Sequence, residues 1–381
     1  MKLSHRSQVD PFIVMDVMEA ARIEEAKDRH IIHMEVGQPG TAAPQSAQDA
    51  VARAMRDDAM GYTVALGLPE LRAKIAELYD QWYGLDLDPN RVIVTSGSSG
   101  AFLLAFAALF DAGDRVGLGM PGYPSYRQVL KSCALEPVEV MAKPENGYQP
   151  TPAEFAAHDL NGLLVASPAN PTGTMLSRGE LGALLEHAQD RSLAFISDEI
   201  YHGIEFEQKA VCALELSDDC YVVNSFSKYF SMTGWRIGWM VVPPGHMRTV
   251  ERLAQNMFIC APHVSQVAAL GAMNDTGELQ ANMDVYRENR RLMQQGLRDA
   301  GFTRTAPADG AFYVYADISE YTDNSLEFCK QVLEQAGVAI TPGVDFDPKR
   351  GQSTIRFSYA RSTADIALGL ERLAKFMREN Y

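Results

Sequence analysis

Residues Ser225–Gly238 read SFSKYFSMTGWRIG, which sets one lysine, Lys228, and one arginine, Arg236, between two apolar runs. The run before them is Tyr221-Val222-Val223-Asn224, and the run after them is Trp239-Met240-Val241-Val242. Runs this short, apolar at successive positions, predict strands covered on both faces of a sheet. Cations caught between buried segments are unfavourable unless something anionic or covalent meets them. The rest of the chain must therefore bring that partner to Lys228 and Arg236.

The same texture recurs on either side. Strands are expected at 91–95, 114–119, 135–141, 162–166, 193–197, 221–226 and 237–242. Between them, helical patterns run over 69–83, 98–111, 124–132 and 177–190, the last opened by the capping serine Ser177. Short buried strands alternating with helices predict an α/β fold with a mostly parallel sheet. The pattern changes near residue 280. A charged helix over 280–300 is followed by strand, helix, strand, strand and helix at 310–316, 326–336, 338–341, 354–359 and 363–379. These predict a small α+β domain closing on the large one. An amphipathic helix over 14–29 is expected to join it. The expected division is 1–40 for the N-terminal segment, 41–279 for the large domain and 280–381 for the small domain.

Ligands of open α/β sheets gather at the ends of strands, and four further motifs lie there. Thr95-Ser96-Gly97-Ser98-Ser99-Gly100 opens a helix, where backbone N–H groups and the helix dipole suit a phosphate. An ordinary Ser/Gly cap fits the same residues. Pro121-Gly122-Tyr123-Pro124-Ser125-Tyr126 offers Tyr123 as a ring face for a planar ligand, or simply a turn with two core tyrosines. In Ser167-Pro168-Ala169-Asn170-Pro171-Thr172-Gly173 the prolines stiffen the chain around Asn170, which suits an amide aimed at one partner or a self-capping loop. Ser197-Asp198-Glu199-Ile200-Tyr201 ends an apolar strand on Asp198, a carboxylate that needs a cation or several donors if buried, unless it only caps a helix.

A planar ligand, phosphorylated, cationic at a ring nitrogen and able to bond an amine, satisfies all five motifs at once. Pyridoxal 5′-phosphate is such a ligand. Lys228 would take its aldehyde, Asp198 its ring nitrogen, and Arg236 with the Ser98-Ser99 turn its phosphate.

With NPTG, DEIY and SFSKYFSMTGWRIG in that order, the chain resembles the class I/II aminotransferases, fold-type I pyridoxal phosphate enzymes, over nearly its whole length. The resemblance implies a seven-stranded, mostly parallel sheet in the large domain. It also implies transfer of an amino group between an amino acid and a 2-oxo acid by a ping-pong Schiff-base mechanism. Lys228, Asp198 and Tyr201 match the catalytic set, with Tyr201 and Asn170 as donors to the ring oxygen. Tyr123 matches the stacked ring, and Ser98, Ser99, Ser225 and Arg236 match the phosphate contacts. Arg356, in Ile355-Arg356-Phe357, matches the grip on the substrate carboxylate, although periodicity alone allows it to face solvent. Gly37 and Asn170 accompany it. Gln38 stands where the family usually has an acidic residue. Tyr62 matches a tyrosine that reaches the phosphate of a neighbouring subunit, which implies a homodimer with shared sites. A β-carbon–sulfur lyase on the same fold and a non-catalytic cofactor sensor are the other readings.

A formal charge of −15 disfavours nucleic acid and anionic membrane as partners. The five cysteines, Cys133, Cys212, Cys220, Cys260 and Cys329, are scattered without a CxxC pair, so buried reduced thiols are expected rather than a metal site or disulfides. Met1–Asp10 is polar, and no apolar run reaches membrane-spanning length, so a leader and a span are not expected and the reading is cytoplasmic.

Overall fold

The computed structural model describes residues 1–381. A short strand, β1 (Ile32–His33), lies apart from the main sheet. The main sheet comprises β2 (Val92–Thr95), β3 (Arg115–Met120), β4 (Glu136–Met141), β5 (Gly162–Ala166), β6 (Ala194–Asp198), β7 (Tyr221–Ser225) and β8 (Gly238–Val241). Its seven strands run in the order β2-β8-β7-β6-β5-β3-β4, and β8 alone runs opposite to the other six.

Alternate residues along these strands enter different cores. Val92, Leu163, Phe195, Val222 and Trp239 point into one. Ile93, Leu164, Ile196, Val223 and Met240 point into the other. Both faces are apolar and covered, which is why the strands read as unbroken hydrophobic runs. Each fully buried Val, Leu or Ile side chain stabilises the fold by roughly 1.5–3 kcal/mol.

Helix α1 (Ile13–Glu25) packs against the C-terminal part of the chain, and the helices around the main sheet include α2 (Gln45–Asp57), α3 (Pro69–Tyr83), α4 (Gly97–Leu109) and α5 (Pro124–Ser132). Helix α1 ends earlier than its sequence pattern suggests, because Asp28 turns into the left-handed region at φ 61°. Helix α2 and the helices Met247–Met257 and His263–Ala272 were not anticipated from the sequence.

The C-terminal part holds β9 (Tyr313–Asp317), β10 (Val338–Ala339), β11 (Thr341–Pro342) and β12 (Thr354–Ser358). β12 lies between β11 and β9 in an antiparallel sheet, while β10 pairs in parallel with β1. The single strand expected over 338–341 is thus two short ones, serving different sheets. The strand expected from Gly310 begins later, since Ala311 sits at φ 56°. The helix Gly277–Asp299 crosses between cores. Leu279 belongs to the core under the main sheet, and Met283, Tyr286, Met293 and Leu297 belong to the C-terminal core. All five cysteines are free; Cys133 and Cys260 are only half-buried, against the expectation that all would be buried.

Candidate active site

A cavity of about 340 Å³ opens at the edge of the main sheet where β2, β3, β5, β6 and β7 end. β8 is antiparallel, so Arg236, just before its first residue, arrives at the same edge. The sequence 225–238 can double back this tightly because Gly238 has no side chain. A Cβ there would lie 2.8 Å from the Asn224 carbonyl and 3.0 Å from the Ser98 nitrogen, both backbone atoms.

Lys228 follows β7, and its Nζ donates to the Gly37 carbonyl at 2.6 Å. Burial and the positive charges of Arg356 and Arg236 lower its pKa to about 8. Asp198 is the last residue of β6 and is 3% exposed. Its carboxylate accepts from the Tyr126 hydroxyl and from the Ile200 N–H at 3.1 Å, yet no cation makes a salt bridge with it. Burial pushes its pKa up to about 6, against the pull of the Tyr126 and Ile200 donors and of Lys228. The sequence had left a helix cap open for Asp198; the carboxylate instead lines the cavity.

At the end of β2, Ser98 and Ser99 line the cavity in the first turn of α4. The N-cap Ser96 makes no side-chain bond to this turn, so its first N–H groups have no capping side chain. Arg236 approaches the same turn, held at φ 52° with its Nη1 donating to the Thr233 carbonyl at 2.9 Å. Tyr123 lines the wall after β3, and Tyr201 lies beyond β6 with Lys228 Nζ 5.7 Å from its ring centroid.

Arg356 is on β12 and only 3% exposed, so the solvent-facing alternative is wrong. Ile355 and Phe357 fill the C-terminal core, which turns Arg356 to the cavity. Its Nη1 donates to Asn170 Oδ1 at 2.7 Å, and its Nη2 to the Glu35 carbonyl and to Thr341 Oγ1 at 3.3 Å. The guanidinium lies 4.5 Å from the Tyr313 ring centroid and 4.7 Å from that of Phe346. Its Nε has no acceptor, though it is buried. Gly37 is a glycine for a steric reason: a Cβ would stand 1.8 Å from the Tyr313 hydroxyl.

One residue expected on the cavity wall stands elsewhere, and one was expected only at a neighbour's site. Ser225 lies behind the wall rather than on it, buried, with its hydroxyl 3.0 Å from the Ile237 carbonyl and 2.9 Å from Ser227 Oγ. Ser227 lines the cavity in its place. Tyr62 is 83% exposed and outside the cavity of its own chain.

A family model described as aminotransferase class I and II matches residues 29–373. The chain belongs to this family. The valine–pyruvate aminotransferase of Mycobacterium tuberculosis is 45% identical, with 99% of this chain and 98% of the relative aligned. A crystal structure of an aminotransferase from the same organism superposes with a TM-score of 0.97 at 44% identity, covering 100% of both chains. A crystal structure from Silicibacter pomeroyi gives a TM-score of 0.96 at 65% identity, again over 100% of both chains. The chain is therefore an aminotransferase with the fold-type I architecture; neither the lyase nor the sensor reading draws support from these relatives.

In this aminotransferase, three contributors escaped the sequence reading. Tyr126, taken with Tyr123 as a possible core residue, is the hydroxyl donor to Asp198. Its position one helical turn after Tyr123 was the available signal. Tyr313 meets Tyr201 hydroxyl to hydroxyl at 2.7 Å and flanks Arg356. Phe346 flanks the guanidinium from the other side, and nothing in its local sequence marks it.

Proposed function

We propose that the cavity binds pyridoxal 5′-phosphate and that the amino group passes from an amino acid to a 2-oxo acid at this one site, the two substrates in turn. The carrying observation is a lysine amine with lowered pKa sharing a cavity with a buried carboxylate that has no cation. Such a carboxylate suits a protonated ring nitrogen. The first turn of α4, Arg236 and Ser227 suit the phosphate, with Ser225 acting from behind through Ser227. Tyr123 suits the ring face. Asn170 presents Oδ1 to Arg356, which leaves its amide N–H groups, with the Tyr201 hydroxyl, as donors to the ring oxygen.

When bound, the cofactor supplies an aldehyde that exchanges amines and a ring that accepts the electron pair left by loss of the substrate Cα proton. Lys228 Nζ, uncharged above about pH 8, takes that proton and returns it. Asp198 keeps the ring-nitrogen proton in place, and Tyr126 keeps Asp198 aimed. Arg356 receives the substrate carboxylate. Its two Nη groups are braced by Asn170 and the Glu35 carbonyl, and its Nε–H still lacks an acceptor. Gly37 brings its carbonyl to Lys228 and leaves room for Tyr313.

The finer proposals follow the same residues. The working units are 1–40 with 280–381, against 41–279; pairing of β1 with β10 supports the first grouping. Two chains form a homodimer in which Tyr62 reaches the phosphate of the partner's site. In support, Tyr62 and Val64 are exposed on a loop bound to the helix at His263, where His263 Nδ1 is 3.0 Å from the Gly61 carbonyl and Val264 and Ile259 are also exposed. The location proposed is the cytoplasm. No helix is long and apolar enough to cross a membrane, and free cysteines suit a reducing compartment. The donor and acceptor of the Mycobacterium relative, valine and pyruvate, make the first substrate pair to try.

The test is borohydride reduction of the purified yellow protein followed by peptide mass spectrometry. The cofactor mass belongs on the peptide carrying Lys228, and a label on any other lysine overturns the assignment.

A further inference from the structure

Helix α1 begins without a cap of its own. Phe12 is its N-cap residue and offers no side-chain acceptor. The cap comes from the far end of the chain. Asp345 Oδ1 accepts from the Ile13 N–H at 3.1 Å, and Oδ2 accepts from the Val14 N–H at 3.2 Å. Asp345 is 2% exposed, and both its oxygens serve this one helix end. Its neighbour Phe346 is the ring against Arg356. The cap thus fixes the start of α1 relative to the arginine proposed to hold the substrate carboxylate.

The residues on either side are tied as well. Asp10 exchanges two 3.0 Å bonds with Gln128 of α5 and pairs with Lys131 at 3.0 Å. Arg127 of α5 donates to the Asp345 carbonyl at 2.8 Å. Between these ties, Phe12, Val14 and Met15 line the cavity, with Val36 and Ile200. Phe12 meets Tyr123 edge-on at 5.8 Å. The cations lining the cavity are Lys228, Arg236 and Arg356, and the proposed function assigns each to the cofactor or the substrate carboxylate. A side-chain carboxylate would find apolar atoms and no cation of this chain, an unfavourable burial.

We infer that the first turn of α1, pinned by Asp345, is an apolar roof that selects amino acids with apolar side chains over dicarboxylic ones, and that Asp345 is its positioning residue. The inference rests on Arg356 as the substrate-carboxylate site.

The test uses the cofactor-loaded enzyme and single amino donors, L-valine, L-leucine, L-aspartate and L-glutamate, read by the absorbance change of the bound cofactor. Wild type is expected to favour valine or leucine over aspartate by about 100-fold in kcat/KM. Asp345→Ala raises the valine KM about tenfold with kcat within about twofold, and narrows the valine-to-aspartate ratio. In the cofactor-free protein it also speeds amide exchange at Ile13 and Val14, which a loss of catalysis alone would not do. Phe12→Ala with Met15→Ala, which leaves the cap in place, narrows the ratio without changing that exchange. If Asp345→Ala does not fold, this double variant decides alone. Aspartate or glutamate reacting as well as valine in wild type overturns the roof. So does an unchanged ratio in the variants. If no donor of either class reacts, the reading of Arg356 falls, and the roof with it.

Discussion

Two arginines line the cavity, and they are built in opposite ways. Arg236 is exposed, held by its own loop through a carbonyl three residues away, and strained into the left-handed region at φ 52°. Arg356 is 3% exposed, sandwiched between two rings and braced by partners 186 and 321 residues away in the chain. A short local loop can set a charge beside uncapped helix N–H groups, where a permanent phosphate would neutralise it. A charge proposed to receive each substrate carboxylate in turn is held instead by the whole fold. The proposed division of labour, cofactor at one end and substrate at the other, can be broken residue by residue.

The largest effect is expected between the two ends. Lys228→Ala leaves both arginines in place and should lower transamination by about 10⁴-fold or more, while substrate carboxylates still bind. Single-turnover absorbance with valine checks it. Residual turnover near wild type would remove Lys228 from the chemistry. Asp198→Asn comes next, with a loss of about 10²–10³-fold in kcat and modest change in valine KM. Steady-state kinetics separate the two parameters, and a loss carried by KM alone would move Asp198 to the substrate end.

The direct comparison is Arg356→Lys beside Arg236→Lys. The first should raise the amino-acid KM about 100-fold and leave the cofactor dissociation constant within about twofold. The second should weaken cofactor binding about tenfold and leave amino-acid KM nearly unchanged. Cofactor titration of each apoprotein, followed by donor kinetics, would show a crossed pattern. Parallel losses in both variants would mean that the two ends are one site.

The smallest effect concerns the support beneath Arg356. The carbonyl of Glu35 holds the guanidinium, and the Glu35 carboxylate, wholly buried, meets His33 Nδ1 at 2.8 Å. That bond, with help from Glu25, raises the His33 pKa to about 9 despite partial burial. A raised folded value stabilises fully below the ordinary histidine range, and the stabilisation is lost as pH climbs from about 6.5 through about 9. The melting temperature should fall by about 2–5 °C more across that window in wild type than in His33→Gln. Equal slopes by calorimetry would release His33 from this role.

The contrast between the arginines also explains what could be read in advance. The Arg236 end is written within fourteen consecutive residues, so SFSKYFSMTGWRIG announced it. The central strands were legible because both faces are covered and their middle positions are apolar. The supports of Arg356 were not legible: Tyr313, Phe346, Thr341 and the Glu35 carbonyl are ordinary residues locally and meet only after the chain closes. The cap of α1 was not legible for the same reason, although its start, expected at 14, falls at Ile13. A sequence search for a helix cap looks one residue upstream, and here the capping carboxylate arrives from position 345. Gly37 was recognised through its motif, whereas its cause, the hydroxyl of Tyr313, lies on β9.

The helix Gly277–Asp299 carries a further meaning. Its first turn is glued to one core through Leu279, and the next turns to the other through Met283 and Tyr286. Breaking a helix in its middle forfeits hydrogen bonds without freeing either end, and restarting it requires a new nucleus. The rod therefore acts as a mechanical clutch between the two halves. Neither half can melt alone without stripping turns that the other still grips, so heat should dismantle the protein as a single cooperative unit.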